Sequence, residues 1–180
     1  MLKQINYDSI IKSWDLFPSP TWVVELLLEF AQIEPGMRCL DPSAGFGHLA
    51  ISLRKAGGIV EVIEILPALQ THLTLQGFTL VGSDFLTTKL SNRYHRIVQN
   101  PPFSQQISHV KKAYECLSKG GKLVSLISNS PWCYNTSFHR QFCYWLTIVN
   151  AQVTELPWGL FVNSERFTNV KCSLVVIDKN

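Results

Sequence analysis

Residues 40–49 run Leu40-Asp41-Pro42-Ser43-Ala44-Gly45-Phe46-Gly47-His48-Leu49. The apolar stretch Met37–Asp41 reads as a short strand, the small-residue turn after it holds a proline and two glycines, and His48–Ala56 resumes as a helix stopped by Gly57-Gly58. Glycines in such a turn let the backbone approach a ligand closely, and the start of the helix offers free N–H groups. The spacing is Gly-x-Gly without a third glycine, which disfavours a nicotinamide dehydrogenase.

Outward from this unit the chain alternates. Trp22 to Ile33 reads as an apolar helix with Thr21 as its cap, ended by Pro35-Gly36. Downstream, Ile59–Glu64 reads as a β-branched strand, Pro67–Gln76 as a helix with proline in its first turn, and Phe78–Val81 as a strand. Arg96–Gln99 is a strand, Ser104–Ser118 a helix closed by Gly120-Gly121, Leu123–Ser128 a strand, and Ser137–Val149 a helix. Ala151–Leu156 and Cys172–Asp178 are the last strands, with the long connection 157–171 and no helix between them. Alternating strands and helices predict an α/β fold: one domain, a mostly parallel seven-stranded sheet with helices on both faces and an antiparallel last strand.

The 180 residues, 46% hydrophobic, suit a single domain with a real core and exclude a disordered chain. No apolar run approaches the roughly 18–20 residues that span a bilayer, so no membrane partner is expected. The first residues show no apolar leader, which gives a cytoplasmic expectation. Five scattered cysteines without a Cys-x-x-Cys argue against a zinc site or a disulfide framework. His95, His109 and His139 read as surface residues, so no metal is expected. Net charge is only +3, but Lys89 to Lys122 holds seven Lys/Arg (including Lys89, Arg93 and Lys111) against one acid, Glu115. That stretch suits either an anionic partner or a solvated helix face.

In open α/β sheets ligands lie beyond the carboxyl ends of the strands, and four punctuated turns fall there. Asp41 opens the first. Glu64, rather than the mid-strand Glu61, closes the second, where an acid can accept both hydroxyls of a ribose. Asp84 and Phe85 follow Gly82-Ser83 at the third, offering an acceptor for an exocyclic amino group and a ring for a base. Asn100-Pro101-Pro102-Phe103 is the fourth and the most specific. Two prolines make a rigid ledge, on which the Asn100 side-chain oxygen and the Pro101 carbonyl can accept both protons of an –NH₂ group while Phe103 stacks on its ring. No phosphate-cradling Gly-x-x-x-x-Gly-Lys-Ser/Thr loop is present.

These four turns, in this order, resemble the S-adenosylmethionine-dependent methyltransferases of the Rossmann-like class, and most closely those that modify N6 of adenine in DNA. The resemblance covers nearly the whole chain. It implies a cofactor loop at Asp41, Pro42, Ser43, Ala44, Gly45 and Gly47, a ribose-binding acid at Glu64, an adenine-contacting pair at Asp84 and Phe85, and a catalytic tetrapeptide at Asn100, Pro101, Pro102 and Phe103. It also implies that Ser19 and Pro20, within an N-terminal segment 1–20, touch the methionine end of the cofactor, although serine stands where threonine is usual, and that Phe161 touches the target.

The expectation is therefore one methyltransferase catalytic domain over 1–180, moving the methyl of S-adenosylmethionine to adenine N6 in DNA. Lys89, Arg93 and Lys111 would hold phosphates. RNA adenine, cytosine N4 and protein glutamine present the same amino group and stay as alternatives, as does a non-catalytic cofactor-binding subunit. Many such DNA enzymes carry a separate target-recognition domain, and these elements leave no room for one. The sequence preference would then be short, encoded in a loop, or supplied by a partner, either a specificity subunit or a second copy in a homodimer.

Overall fold

A computed structural model describes residues 19–158 and 170–180. Seven strands form one sheet: β1 (Arg38–Asp41), β2 (Ile59–Ile63), β3 (Thr79–Gly82), β4 (Tyr94–Gln99), β5 (Leu117–Ser128), β6 (Gln152–Glu155) and β7 (Cys172–Asp178). Their order is β3-β2-β1-β4-β5-β7-β6. All pairs are parallel except those of β7, which runs antiparallel to both β5 and β6. The expected architecture is the one observed.

Strand alternation sorts the core into two layers. Cys39, Val60, Val62, Val98, Val124 and Leu126 point to one face, where α1 (Thr21–Ala31) and α2 (His48–Lys55) bury Val23, Leu27, Leu49 and Leu53. Leu40, Ile63, Ile97, Leu123 and Ile127 point to the other, against Ile107, Val110, Phe142 and Leu146. Those four come from α4 (Gln106–Cys116) and α6 (Ser137–Ile148); α3 (Pro67–Leu75) follows β2, and the four-residue α5 (Ser130–Cys133) follows β5. The chain builds outward from β1 through β2 to β3, then returns to β4 on the other side. The carboxyl ends of β1 and β4 thus flank a crevice that no connection among the described residues crosses, the position at which such sheets bind ligands.

Several boundaries differ from expectation. The first cap is Pro20, whose carbonyl receives the N–H groups of Val23 and Val24, and Thr21 lies inside the helix. β4 starts at Tyr94, and α4 follows a 3-10 turn, Phe103–Gln105, that Pro102 introduces. Gly120-Gly121 does not close α4, which ends at Cys116. The glycines instead form a bulge inside β5: Leu117 pairs with Tyr94, but Arg96 pairs with Lys122. Gly120, at φ +74°, donates to Lys179 O (2.7 Å), and Lys179 N donates back to Gly121 O (2.8 Å). The Lys179 ammonium then donates to the carbonyls of Tyr114, Glu115 and Leu117 at 2.9–3.0 Å, supplying the cation that the carboxyl end of a helix favours. Lys179→Met should lower stability by about 1–2 kcal/mol, read as a fall of a few degrees in melting temperature; an unchanged midpoint would show that the three bonds contribute nothing net.

Candidate active site

A cavity of about 370 Å³ opens at the carboxyl ends of β1, β2, β3 and β4. Its floor is the turn after β1. Asp41 is 1% exposed; its Oδ1 accepts from Ser43 N (3.3 Å), and its Oδ2 has no hydrogen-bond partner. Pro42, Ser43, Ala44 and Gly45 continue the wall. Gly47 stands behind the cavity rather than in it: at φ +84° it starts α2, and a Cβ there would lie 2.9 Å from Leu73.

Glu64 braces two turns at once. Its Oε2 accepts from Gly45 N (2.7 Å) and its Oε1 from Leu66 N (2.9 Å). Burial still raises its pKa, because the carboxylate loses more hydration than two N–H groups return. Glu61 has a different task, bonding the Arg93 guanidinium (2.6 Å) and the Tyr94 hydroxyl (2.5 Å).

At the third turn Asp84 Oδ1 accepts from Leu86 N (2.8 Å), and the Asp84 carbonyl accepts from Thr88 N and Oγ1 (2.9 and 2.6 Å). Glycine is required at 82 because a Cβ would collide with the Thr88 side chain. Phe85 reaches the cavity wall, but its ring is only 2% exposed, lies 5.2 Å from His109 and has the Lys112 ammonium over it. The ring belongs mainly to the core.

At the fourth turn Asn100 Nδ2 donates to Ser19 Oγ (3.0 Å), and Ser19, Asn100, Pro101 and Pro102 share the wall. Pro20 and Phe103 are not on that wall: Pro20 caps α1, and the Phe103 ring packs half-buried against the α1 face of the core.

Sequence reasoning missed His109, which is buried in the wall rather than exposed, with Nδ1 3.3 Å from Ser43 Oγ. Burial pushes its pKa down to about 4, so it is neutral near pH 7. The signal was available, since His109 falls on the α4 stripe that buries Gln106, Val110 and Ala113. Ile65, in the wall beside Glu64 and 53% exposed, was also missed.

The basic segment is spread over several parts of the fold, and most of its cations have partners within the chain. Arg93 lies before β4, at the amino edge of the sheet, and bonds Glu61. Arg96 donates to Ala31 O (2.6 Å), and Lys112 to Leu86 O and Thr88 O (2.9 and 2.7 Å). Lys122 bonds Gln32 Oε1 (2.8 Å), and Lys111 lies 5.9 Å over the Trp145 ring. Lys89 is exposed and outside the cavity wall. Phe161 lies outside the described residues.

Asp41, Glu64 and Asp84 all line the cavity, and among the described residues no lysine or arginine does. Burial, with Glu64 nearby, raises the Asp41 pKa to about 7. Such a cavity suits a ligand that carries positive charge and repels a phosphorylated one.

Comparison with known proteins agrees. A family model described as the methyltransferase small domain matches residues 23–152. The chain belongs to that family. Its members are S-adenosylmethionine-dependent methyltransferases, and the buried Asp41 oxygen and the acid-lined wall fit the ammonium and sulfonium charges of that cofactor. No curated protein matches the sequence. Among solved structures, the type I restriction-modification methyltransferase subunit of Streptococcus thermophilus superposes with a TM-score of 0.77 at 16% identity, over 91% of this chain and 45% of that one. The M protein of the type I restriction enzyme EcoKI gives 0.75 at 13% identity, over 96% and 46%. Geranyl diphosphate C-methyltransferase from Streptomyces coelicolor A3(2), solved with Mg²⁺, geranyl diphosphate and S-adenosyl-L-homocysteine, gives 0.68 at 13%, over 89% and 79%. The chain spans about half the length of the two restriction subunits, and the likeness is one of fold. Among the described residues no helix is long and apolar enough to cross a membrane.

The unfolded chain releases the Asp41 proton at about pH 4 and the folded methyltransferase domain at about 7. Between those values the folded state holds the extra proton, so stability falls as pH rises through the window. His109 acts oppositely, since its unfolded form protonates near 6.5 and its folded form only near 4. Asp41→Asn leaves His109 in place and isolates the carboxyl. Its stability relative to wild type should climb from pH 4 to 7, by a few kcal/mol at most, and level off above; a difference constant across that range would exclude a buried proton on Asp41.

Proposed function

We propose that this domain transfers the methyl group of S-adenosylmethionine to an exocyclic amino nitrogen, and that the acceptor is N6 of adenine in DNA. The observation that carries the reading is the meeting of two chemistries at the crevice between β1 and β4. One side is a cation-suited cavity lined by Asp41, Glu64 and Asp84; the other is the Asn100-Pro101-Pro102 ledge.

When bound, the cofactor supplies an activated methyl on a positively charged sulfur. The chain's own residues hold and orient. Asp41 Oδ2 accepts from the ammonium of the methionine end, a role that matches a buried oxygen with no protein partner. Glu64 would hold the ribose hydroxyls, and Asp84, with Oδ1 on Leu86 N, would offer its other oxygen to the cofactor's adenine. Asn100 Nδ2 donates to Ser19 Oγ, and in this orientation the amide oxygen serves as the acceptor. Asn100 Oδ1 and the Pro101 carbonyl then take the two amino protons. This draws the nitrogen lone pair out of conjugation with the ring and towards the methyl. The help increases as positive charge grows on nitrogen in the transition state. The resulting cation is acidic enough to lose its proton to water, so His109 need not serve as a base. Phe103 follows the ledge, its ring half-buried outside the cavity wall, and stacking on the target base would require that ring to turn toward the ledge. A target in a duplex must be flipped out to reach this ledge.

DNA is favoured over the other amino acceptors by the joint presence of the Asp41–Gly47 loop and the Asn100–Phe103 ledge, and by two restriction-modification subunits among the fold neighbours. Sequence selection by a specificity subunit or a second copy of the chain belongs to the same proposal.

Incubation with methyl-labelled S-adenosylmethionine and unmethylated DNA, RNA or protein extract tests it. Label should appear in DNA as N6-methyladenine. Asn100→Ala should reduce transfer by about 100-fold or more while its cofactor dissociation constant stays near wild type; equal turnover would remove the ledge from the mechanism. Label only in RNA or protein would keep the chemistry and change the acceptor. Asp84→Ala should weaken cofactor binding by about ten-fold, measured by calorimetry, and an unchanged constant would withdraw its role.

A further inference from the structure

The segment that follows β5, the strand beside β4, carries exposed rings that lie outside the wall of the cavity. Gln106, the first residue after the 3-10 turn, is buried. Its Nε2 donates to Ser128 Oγ (2.9 Å) and Ser130 Oγ (2.7 Å), and its Oε1 accepts from Ser128 N (2.7 Å). These bonds start α5 against the same turn whose Ser104 and Gln105 line the cavity. From there Tyr134 and Phe138 stand 61% and 52% exposed, on either side of His139 at centroid distances of 5.6 and 5.8 Å. The group is held in place from within. Thr136 Oγ1 and His139 Nδ1 are 2.6 Å apart, and Arg140 Nη1 donates to both the backbone and side-chain oxygens of Asn135 (3.0 and 2.9 Å). Arg140 is exposed. No Asp or Glu occurs between Glu115 and Glu155.

We propose that Tyr134, Phe138 and Arg140 form a platform for unpaired nucleotides flanking the target base, the rings stacking on bases and the guanidinium meeting a phosphate. The proposal rests on the nucleic-acid reading above. An amino group reaches the ledge only when its base leaves the stack, and the neighbouring bases then lose a stacking partner. An exposed aromatic pair replaces that partner without regard to sequence, because every base has a π-face. A segment without carboxylates avoids repelling the backbone, and a guanidinium is the side chain best matched to phosphate. Rings with an adjacent cation suit a strand of bases better than an aliphatic protein face.

The test uses short fluorescein-labelled single-stranded and duplex DNA, with S-adenosylmethionine binding measured on every variant. Tyr134→Ala/Phe138→Ala should bind single-stranded DNA at least about ten-fold more weakly and raise the KM for DNA in methyl transfer, with cofactor affinity unchanged. Tyr134→Phe should behave as wild type, since the ring is what stacks. Arg140→Gln should reduce the slope of log affinity against log salt by about one. Unchanged DNA affinity and KM in the double variant would overturn the platform, and this is also the result expected if the rings serve a protein partner. If the double variant loses cofactor affinity as well, Arg140→Glu decides instead, and wild-type DNA binding by it would overturn the proposal. A wild-type protein that methylates RNA or protein but never DNA would overturn the acceptor reading. A wild-type protein that methylates DNA beside variants with unaltered KM would overturn the platform alone.

Discussion

The strand order reverses between β1 and β4, and everything at the candidate site depends on that reversal. Right-handed crossovers carry the chain from β1 through β2 to β3 on one side and from β4 to β5 on the other. Among the described residues no connection passes over the shared edge, so the turns after β1 and β4 face each other. Asp41 ends one strand and Asn100 follows the other. Residues almost 60 positions apart therefore share one cavity wall without any long-range interaction dedicated to that purpose. Fine adjustment is then local: Glu64 locks the β1 turn to the β2 turn through Gly45 and Leu66, and Ser19 locks the Asn100 amide.

The electrostatics show what this arrangement costs. Three carboxyls converge in a cavity whose described walls hold no lysine or arginine, and the most deeply buried of them keeps one oxygen unpaired. A fold selected for stability alone would place a cation there or replace the acid. A protein that must bind a cationic small molecule is better left with the unfavourable field, because the ligand then gains the interaction that the apo protein lacks. Opposed proton uptake by Asp41 and His109 flattens the pH response of the whole, so only variants that change one of the two groups reveal either.

The sequence was most legible where local chemistry decides structure. Short apolar and β-branched runs marked all seven strands, and prolines and glycines marked the turns whose residues meet around the cavity. It was least legible where the outcome depends on partners far along the chain. The Lys89–Lys122 segment looked like one basic surface, but charge counting cannot see that Arg93 meets Glu61 across 32 positions or that Lys112 fastens the 86–88 loop. Gly120-Gly121 looked like a helix stop because a β-bulge held by Lys179 needs the same residue type. His109 was read as a surface group because histidine is usually exposed; its position on the buried stripe of α4 was the better guide. Phe85 and Phe103 carried the right residue type for stacking, but the core also requires rings, and only coordinates show that most of the Phe85 ring is inside it.

The fold narrows the cofactor more than the acceptor. A C-methyltransferase of geranyl diphosphate and two restriction-modification subunits share this sheet at identities of 13–16%, so the sheet alone cannot choose between carbon and nitrogen. The choice must come from the groups that face the acceptor. A carbon acceptor needs electron density supplied by its own double bond and gains little from a pair of carbonyl oxygens beside the methyl. An aryl amine needs those oxygens, because its lone pair is tied into the ring until its protons are drawn aside. Asn100, its amide bonded to Ser19 and followed by two prolines that restrict the backbone, is a poor device for the first reaction and an apt one for the second. The same reasoning separates the two halves of the proposed site: the carboxyls would set what binds in the cavity, and the ledge what is methylated there.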